Sequence, residues 1–422
     1  MNIEHWAVFL DNTSQKSQLI TSILKGTPPK ILQGFQAAKG ALFSKLAIER
    51  YIDEEDRHDT KILTADTDQA LRSMSSGEQK KALLKYILSS DCDFIVLDNP
   101  FDNLDTDTQA HLKMQLETVS KQVGMIQLIS RKSDLLSFID NFARLKGDQL
   151  VVVGEKEVLS NSPTKERFTG QIPLALNSGL NSLEIDHDVL IELKSVNVSY
   201  MDKPVLKDIN WSIKKGDFWE LRGKNGSGKT TILSMITGEN PKGYGQDLYI
   251  FGQKKGSGES VWDIKKKIGY FTPSMTDKFT GYHSVEHMLI SGLNDSIGLY
   301  IRPTEVQLRT AEQWLQLIDL WHVKDALYHD LSMGQKRLVM CARAMIKHPP
   351  LLIFDEPTAG LDDASAALFV ALVNKFAKES QTTIIFVSHR KEPDLRPDHI
   401  YHLEMKEIGS SGKVVPVAGQ YI

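Results

Sequence analysis

The chain has little cysteine and almost no net charge, and each shortage argues against a class of protein. Only two cysteines occur among 422 residues, Cys92 and Cys341, far apart and without metal-ligand spacing. This usage argues against a disulfide framework and is typical of a reducing cytosol. The formal net charge is −4, so no global basic field would attract nucleic acid.

Long apolar runs are also absent. Apolar runs such as 351–354 and 384–387 have the length of a strand, far below the ~18 residues that span a bilayer. The N-terminal residues do not show the charged-then-apolar layout of a signal peptide. The sequence therefore predicts a cytoplasmic protein, at most peripheral on the inner face of the cell membrane.

The most informative segment present is GKNGSGKTT, from Gly223 to Thr231. It follows an apolar run (218–221) and precedes a helical pattern (232–236), the context that a phosphate-binding loop requires. Glycines let successive backbone N–H groups surround a polyphosphate, whereas a plain Gly-rich turn would need no such context. Lys229 is then expected to reach the β- and γ-phosphates and Thr230 to ligate Mg²⁺. The residues expected to bind the nucleotide here are Gly223, Asn225, Gly226, Ser227, Gly228, Lys229, Thr230 and Thr231.

Motifs of the second half recur in the first. Three equivalent pairs are each separated by 257 positions: Gly77 and Gly334, Asp98 and Asp355, and Asp105 and Asp362. Around the phosphate loop the offset is 213, as between Lys16 and Lys229, so a block of 44 residues is missing from the first half. A constant offset over several motifs indicates an internal duplication.

Each half has the pattern of an α/β domain. Short continuous apolar runs such as FIVLD (94–98) and LLIFD (351–355) are typical of parallel strands buried on both faces. A stretch rich in Gly, Asn, Ser and Pro (146–188) marks the boundary. We therefore expect a first domain over 1–160, a linker over 161–188 and a second domain over 189–422.

With these motifs in this order, the chain resembles tandem ATP-binding cassette (ABC) ATPases. The stretch Gly243–Tyr270 is similar to ModF-type cassette proteins, named for a presumed link to molybdate transport. The resemblance implies two P-loop NTPase domains, with a helical subdomain that is reduced in the first and an antiparallel β-subdomain in the second. It also implies that the cassettes pair head to tail and sandwich ATP and Mg²⁺.

The resemblance assigns roles to residues of the second half. Tyr200 matches the aromatic that stacks on adenine, although a plain strand residue would fit the same alternating pattern. Asp355 would hold Mg²⁺ through water, Glu356 would polarise the attacking water, and His389 would contact the γ-phosphate. The expected catalytic residues are Lys229, Glu356 and His389. One departure is the glutamine expected after IGYF, whose place Pro273 or Ser274 takes, and this weakens the expectation of standard coupling to a permease.

The first half is altered where it would act on its own nucleotide. Leu10, Thr13 and Gln15 replace the three glycines of its loop, while Lys16 and Ser17 survive and leave weak phosphate contact open. The general-base position is Asn99, which cannot take a proton, and the histidine position is Arg131. Only about nine residues precede this loop, so early strands and a stacking aromatic have no room unless the start lies upstream.

The first half does retain a signature loop, Ser75, Ser76, Gly77 and Glu78. Gly77 precedes Asp98 by 21 positions, the same spacing as from Gly334 to Asp355, so a chance Ser/Gly turn is disfavoured. We therefore predict one competent composite site, built from the second half and completed by residues 75–78. The other site (Lys16, Ser17, Asp98, Asn99 and 332–335) is expected to be degenerate.

The role most implied by the resemblance is an ATPase that energises a membrane permease, with molybdate as a weak guess for the substrate. A soluble tandem ABC protein acting on ribosomes or nucleic acid is a less favoured alternative. Such proteins carry two catalytic glutamates and a long charged helical linker, whereas this chain has Asn99 and a Gly/Asn-rich connector. A third alternative is a regulatory switch that binds ATP with little turnover.

Overall fold

A computed structural model describes residues 3–417 apart from 13, 66, 68, 156, 158–167, 177–186 and 280. The chain divides into two compact units, one formed by residues 1–163 with 360–363 and the other by 164–359 with 364–422. Most of the predicted linker (161–188), and Thr13 of the first loop, lie outside the described residues.

The first unit contains a six-stranded sheet. Its strands are β1 (His5–Leu10), β2 (Gly40–Phe43), β3 (Phe94–Asp98), β4 (Gly124–Ile129), β5 (Asn141–Lys146) and β6 (Gln149–Val152). Their order is β2-β3-β4-β1-β5-β6, and all neighbours are parallel except the hairpin β5-β6. The α-helices are Lys16–Leu24, Lys45–His58, Ser76–Ser89 and Thr106–Ser120, with 3₁₀ turns at Lys30–Phe35, Leu71–Ser73 and Lys132–Asp134.

The second unit contains two sheets. The larger one comprises β9 (Phe218–Gly223), β12 (Ile268–Phe271), β13 (Leu351–Asp355), β14 (Thr383–Ser388), β15 (His399–Glu404) and β16 (Ser411–Val415). The smaller, antiparallel one has the order β11-β10-β7-β8, formed by β7 (Val189–Tyr200), β8 (Lys203–Lys214), β10 (Asp247–Ile250) and β11 (Gln253–Lys254). Its α-helices are Lys229–Ile236, Val261–Lys266, Pro273–Lys278, Val285–Ile290, Glu305–Leu317, Met333–Met345 and Asp363–Glu379, with 3₁₀ turns at Pro241–Gly243, Ser291–Asn294, Trp321–Val323 and Tyr328–Asp330.

The two large sheets have the same strand order. In the second unit it is β12-β13-β14-β9-β15-β16, parallel except for the last hairpin, which matches the first unit strand for strand. The predicted α/β class, with an antiparallel sheet in the second half, is therefore confirmed.

Both large sheets are buried on two faces. Along β13, Leu352 and Phe354 belong to one apolar cluster while Leu351 and Ile353 belong to the other. Successive side chains of a strand point to opposite faces, so a strand between two cores must be apolar at every position. This explains the uninterrupted apolar runs of the sequence.

The strand order also brings the predicted site residues of the second unit to one edge of its large sheet. The strands β13, β14 and β9 are adjacent and parallel, so their carboxyl ends lie at one edge. Asp355 ends β13, His389 follows β14, and the phosphate loop follows β9. Crevices at the carboxyl ends of parallel strands are where such folds bind ligands.

Candidate nucleotide-binding and catalytic site

The phosphate loop has a conformation that requires glycine. Gly226 and Gly228 have φ values of 79° and 92°, a region that favours glycine. A Cβ at Gly228 would lie 2.5 Å from a methyl carbon of Leu206, and one at Gly223 would lie 2.5 Å from Ser227 Oγ. Side chains would therefore both strain and fill the loop.

Lys229 opens the helix Lys229–Ile236 (the phosphate-loop helix), and the residue is only 6% exposed. Its Nζ donates to the carbonyls of Gly223 at 2.7 Å and Lys224 at 3.0 Å. Ser227 Oγ is buried and has no hydrogen-bond partner among the described residues. A buried ammonium and an unpartnered buried hydroxyl in a glycine loop suit a polyphosphate ligand.

Asp355 and Glu356 are consecutive acids at the end of β13 and differ in protonation behaviour. Burial, with the charge of Glu356, raises the pKa of Asp355 from 3.8 to about 6. The hydroxyl of Tyr270 on β12 donates to Asp355 Oδ2 at 3.3 Å. This tyrosine was missed by sequence reasoning, because the pairing of β12 with β13 that brings it to Asp355 is not indicated by any local pattern.

Glu356 lies beside the histidine predicted to act with it. Its Oε1 is 3.2 Å from Nδ1 of His389, whose side chain is 5% exposed. Burial acts to raise the pKa of Glu356, but the hydrogen bond and charge of His389, with the charges of Lys229 and Arg390, outweigh it. The pKa is therefore lowered, and Glu356 is ionised at neutral pH. His389 Nε2 is buried with no hydrogen-bond partner among the described residues, which leaves it available to a ligand.

The donor set fits Mg²⁺. The carboxylate of Asp355 and the hydroxyl of Thr230 are hard oxygen ligands, and Mg²⁺ usually takes one or two from the protein and the rest from phosphates and water. A nearby cation would also stabilise the ionised form of the buried Asp355. Within the described residues there is no group of three or more His, Cys, Asp or Glu that could hold a metal.

Tyr200 ends β7 in the small sheet and its side chain is 40% exposed. Its hydroxyl accepts a hydrogen bond from Asn240 Nδ2 at 2.7 Å, and Lys242 Nζ lies 5.7 Å from the ring centroid. The ring is therefore solvent-accessible and fixed at its hydroxyl end, which suits stacking on a base. Asn240 was also missed by sequence reasoning, because no local pattern indicates it.

The altered loop of the first unit uses its polar groups internally. Leu10 is buried in an apolar cluster, and Gln15 has a φ of −84° where Gly228 has +92°. Ser14 Oγ accepts from the amide of Asp11 and donates to the carbonyl of Leu145 at 2.6 Å. The amide of Gln15 donates to the carbonyl of Gly147 at 2.7 Å. Groups that would face a phosphate in an intact loop are thus bonded to protein.

Lys16 is paired within the same unit. Its Nζ lies 3.0 and 3.1 Å from the two carboxylate oxygens of Asp98, whereas Lys229 donates to backbone carbonyls of its own loop. The amide side chain of Asn99, next to Asp98, accepts a hydrogen bond from the backbone of Ser130. The first unit therefore has an ion pair and an amide where the second has a phosphate-loop lysine and a carboxylate.

The backbone around Asn99 and Glu356 is nevertheless the same. Their φ values are 44° and 51°, and their amides donate to the carbonyls of Leu128 and Val387 at 2.9 and 3.0 Å. A positive φ is uncommon for residues other than glycine, so its recurrence at equivalent positions supports the duplication.

Both signature loops begin a helix with a capping box. Ser75 Oγ accepts from the amide of Glu78, whose carboxylate accepts from the amide of Ser75 at 2.8 Å. Ser332 and Gln335 make the equivalent pair at the start of Met333–Met345. Ser76 donates to the carbonyl of Asn103 at 3.0 Å, so the first signature loop is well ordered within its own unit.

The missing glutamine is replaced by a helix start. Thr272 follows β12, and Pro273 begins the short helix Pro273–Lys278, a position where proline is favoured because its nitrogen needs no partner. The segment is thus built as a helix rather than as an extended loop bearing an amide.

Comparisons with known proteins agree with this arrangement. A family model described as ABC transporter matches residues 206–359. The ABC transporter ATP-binding protein ModF of Escherichia coli (strain K12) is 35% identical over 339 residues, covering 78% of this chain and 69% of that protein. An uncharacterised ABC transporter ATP-binding protein of Schizosaccharomyces pombe is 29% identical, covering 76% of this chain and 66% of that protein.

Solved structures show the same fold over almost the whole chain. The archaeal ribosome recycling factor aABCE1, solved with the stalk protein aP1, has a TM-score of 0.61 at 15% identity, covering 97% of this chain and 85% of that one. At such identity the likeness concerns the fold alone. Three findings agree: the sequence similarity to ModF, the family match over the phosphate loop and signature helix, and the tandem α/β fold. The chain therefore belongs to the ATP-binding proteins of the ABC transporter family, which bind and hydrolyse ATP.

Proposed function

We propose that hydrolysis takes place at one competent site, centred on the second cassette, and that the protein energises an integral membrane permease. The observation that carries the first part is the asymmetry between Glu356 and Asn99. Glu356 is an ionised carboxylate 3.2 Å from His389, whereas Asn99 is an amide whose oxygen accepts a hydrogen bond from the backbone N–H of Ser130. A carboxylate can take a proton from water, and a neutral amide cannot.

The site residues of the second cassette have separate roles in this scheme. Lys229 balances charge on the β- and γ-phosphates, and backbone N–H groups of residues 223–231 bind the phosphate oxygens. Glu356 orients the attacking water and accepts its proton, while His389, through Nε2, contacts the γ-phosphate. When bound, Mg²⁺ would neutralise phosphate charge, and Thr230 and Asp355 are the residues that would hold it.

The first cassette supports hydrolysis rather than performing it. Its loop amides and Lys16 are bonded to protein groups, so nucleotide would have to displace them. Its signature loop keeps its capping box. We assign Ser75, Ser76, Gly77 and Glu78 to completing the second cassette's site, and Lys16, Ser17, Asp98 and Asn99 to a degenerate site, on this asymmetry and on the head-to-tail pairing that the family resemblance implies.

The proposed partner is a permease, and the support for a protein partner is a set of exposed aromatic rings in the second cassette. Tyr282 and Tyr300 are 85% and 77% exposed. The ring of Tyr300 packs edge-on against His283, next to Tyr282, with centroids 5.7 Å apart. Ile297 and Ile301, close to Tyr300 in sequence, are more than half exposed. Exposed aromatic and aliphatic side chains in one segment, here 282–301, are what a protein partner would cover.

The described helices include none that is long and apolar enough to cross a membrane. We propose a peripheral position on the inner face of the cell membrane. Molybdate as the transported substrate rests on the resemblance to ModF-type proteins alone.

The experiment is photo-cross-linking in native cells, with a benzophenone amino acid at Tyr300. A matched control carries the same group at Val414 on β16, which is also well exposed (60%). An integral membrane protein captured at Tyr300 but not at Val414 would support the permease. Ribosomal proteins captured instead would favour the soluble alternative. If no specific adduct forms at Tyr300, these exposed residues no longer support a permease partner.

A further inference from the structure

The ring of Tyr200 and the phosphate loop belong to different parts of the second unit, and they are joined by one side chain. Asn240 Nδ2 donates to Tyr200 Oη at 2.7 Å and to Ser234 Oγ at 3.1 Å. Ser234 Oγ in turn donates to the carbonyl of Thr231 at 3.0 Å. A continuous chain of hydrogen bonds thus runs from the ring to the last residue of the phosphate loop.

Asn240 is itself held firmly. Its backbone N–H donates to the carbonyl of Ser234 at 2.9 Å. Its side-chain Oδ1 accepts from the backbone N–H of Lys242 at 3.0 Å and so caps the 3₁₀ turn Pro241–Gly243. Gly238, with a φ of 80°, ends the phosphate-loop helix and lets the chain turn back to place Asn240. Both N–H donors and the oxygen acceptor of the Asn240 side-chain amide therefore form hydrogen bonds.

Few side chains could replace it. The arrangement needs two donors and one acceptor on a short side chain, which asparagine provides. Aspartate has no donor when ionised, and alanine would leave the tyrosine hydroxyl without this partner. The ring of Tyr200, which is 40% exposed, would then lose the hydrogen bond that restrains its hydroxyl end.

We propose that Asn240 is a positioning residue for the nucleotide base: it fixes the Tyr200 ring relative to the phosphate loop, so that base and triphosphate bind together without a further ordering cost. The inference rests on the proposed stacking role of Tyr200. It assigns no chemistry to Asn240, which acts through the tyrosine hydroxyl.

The expected result is a change in KM without a change in kcat. Asn240→Ala should raise KM for ATP about two- to tenfold, the usual worth of one hydrogen bond, and leave kcat within twofold. Tyr200→Phe keeps the ring but loses the hydroxyl, so it should have the same effect. The double variant should be no worse than either single variant, because both remove one interaction. Tyr200→Ala, which loses stacking itself, should raise KM by about tenfold or more.

Two further measurements separate positioning from damage to the loop. Inorganic tripolyphosphate has no base, so its inhibition constant should be the same for Asn240→Ala as for the native protein. Gln246→Ala serves as a matched control, since within the described residues the side chain of Gln246 forms its hydrogen bonds with the backbone of Asn197; its KM should not change.

The outcomes distinguish the stacking role of Tyr200 from the positioning role of Asn240. If Tyr200→Ala leaves KM unchanged, the stacking role is wrong. If Tyr200→Ala raises KM but Asn240→Ala and Tyr200→Phe do not, only the role of Asn240 is wrong. Additive effects in the double variant, or weaker tripolyphosphate inhibition in Asn240→Ala, would also overturn it, because Asn240 would then act on the loop rather than through the ring.

Discussion

Glu356→Gln should preserve ATP binding and slow hydrolysis by about 10²–10⁴-fold, the usual worth of a positioned general base. The substitution is nearly isosteric, and the backbone at this position, with a φ of 51° and an amide bonded to Val387, does not depend on the carboxylate. What is lost is the ionised group 3.2 Å from His389 Nδ1. At ~1.4 kcal/mol per tenfold, the barrier would rise by about 3–6 kcal/mol.

Steady-state phosphate release and single-turnover hydrolysis measure the rate, and equilibrium titration with a fluorescent ATP analogue measures binding. Asn99→Glu is the matched control, because it puts the same side chain at a position with the same positive φ (44°) in the first cassette. Its turnover should not rise, since the loop of that cassette has no glycine cradle. A loss below about fivefold for Glu356→Gln would refute the assignment of the general base, and a gain of turnover for Asn99→Glu would show that the first site is competent.

Lys229→Ala should abolish high-affinity ATP binding while Lys16→Ala has little effect on it, because Lys16 is already paired with Asp98; equal losses in the same titration would contradict this. Ser75→Arg should slow hydrolysis more than Ser332→Arg, since bulk and charge in the first signature loop would block the competent site. If the steady-state rates of the folded variants show the reverse order, the two sites are assigned the wrong way round. Asp355→Asn should raise the melting temperature of the nucleotide-free protein at pH 7.5. The pKa of Asp355 is raised to about 6, so its ionised form destabilises the fold above that pH and the penalty fades as the pH falls through 6 towards 4. A gain that does not shrink between pH 7.5 and pH 5 would count against a buried charged carboxylate.

Much of the fold could be predicted because its signals are local. Apolar runs such as 351–355 indicate strands buried on both faces, and a glycine loop between a strand and a helix indicates a phosphate site. The bounds of elements were less accurate. The apolar pattern of residues 335–347 alone predicts a helix over that range, whereas the helix spans Met333–Met345, because the capping box formed by Ser332 and Gln335 starts it earlier.

The contacts that define the site could not be predicted, because they join residues far apart in sequence. Tyr270 and Asp355 are 85 positions apart and Lys16 and Asp98 are 82 apart, and such pairs depend on strand order and register. The sequence indicated that the first loop had lost its glycines, but not that Ser14, Gln15 and Lys16 would find partners within the same unit. Side-chain networks that pass through a turn, as at Asn240, also leave no periodic signal.

The first cassette keeps the features that shape it and loses those that react. Asn99 retains the positive φ that its counterpart Glu356 has, although such a backbone costs of order 1 kcal/mol, and Ser75 retains its capping box. An unused domain would have no reason to keep a strained residue after losing the carboxylate that the strain positions. The simplest physical account is that the backbone after β3 still supports the loop 99–105, whose residue Asn103 accepts the hydrogen bond of Ser76. On this account the strain is retained in order to hold the signature loop, which is the part of the first cassette that the proposed ATPase site requires.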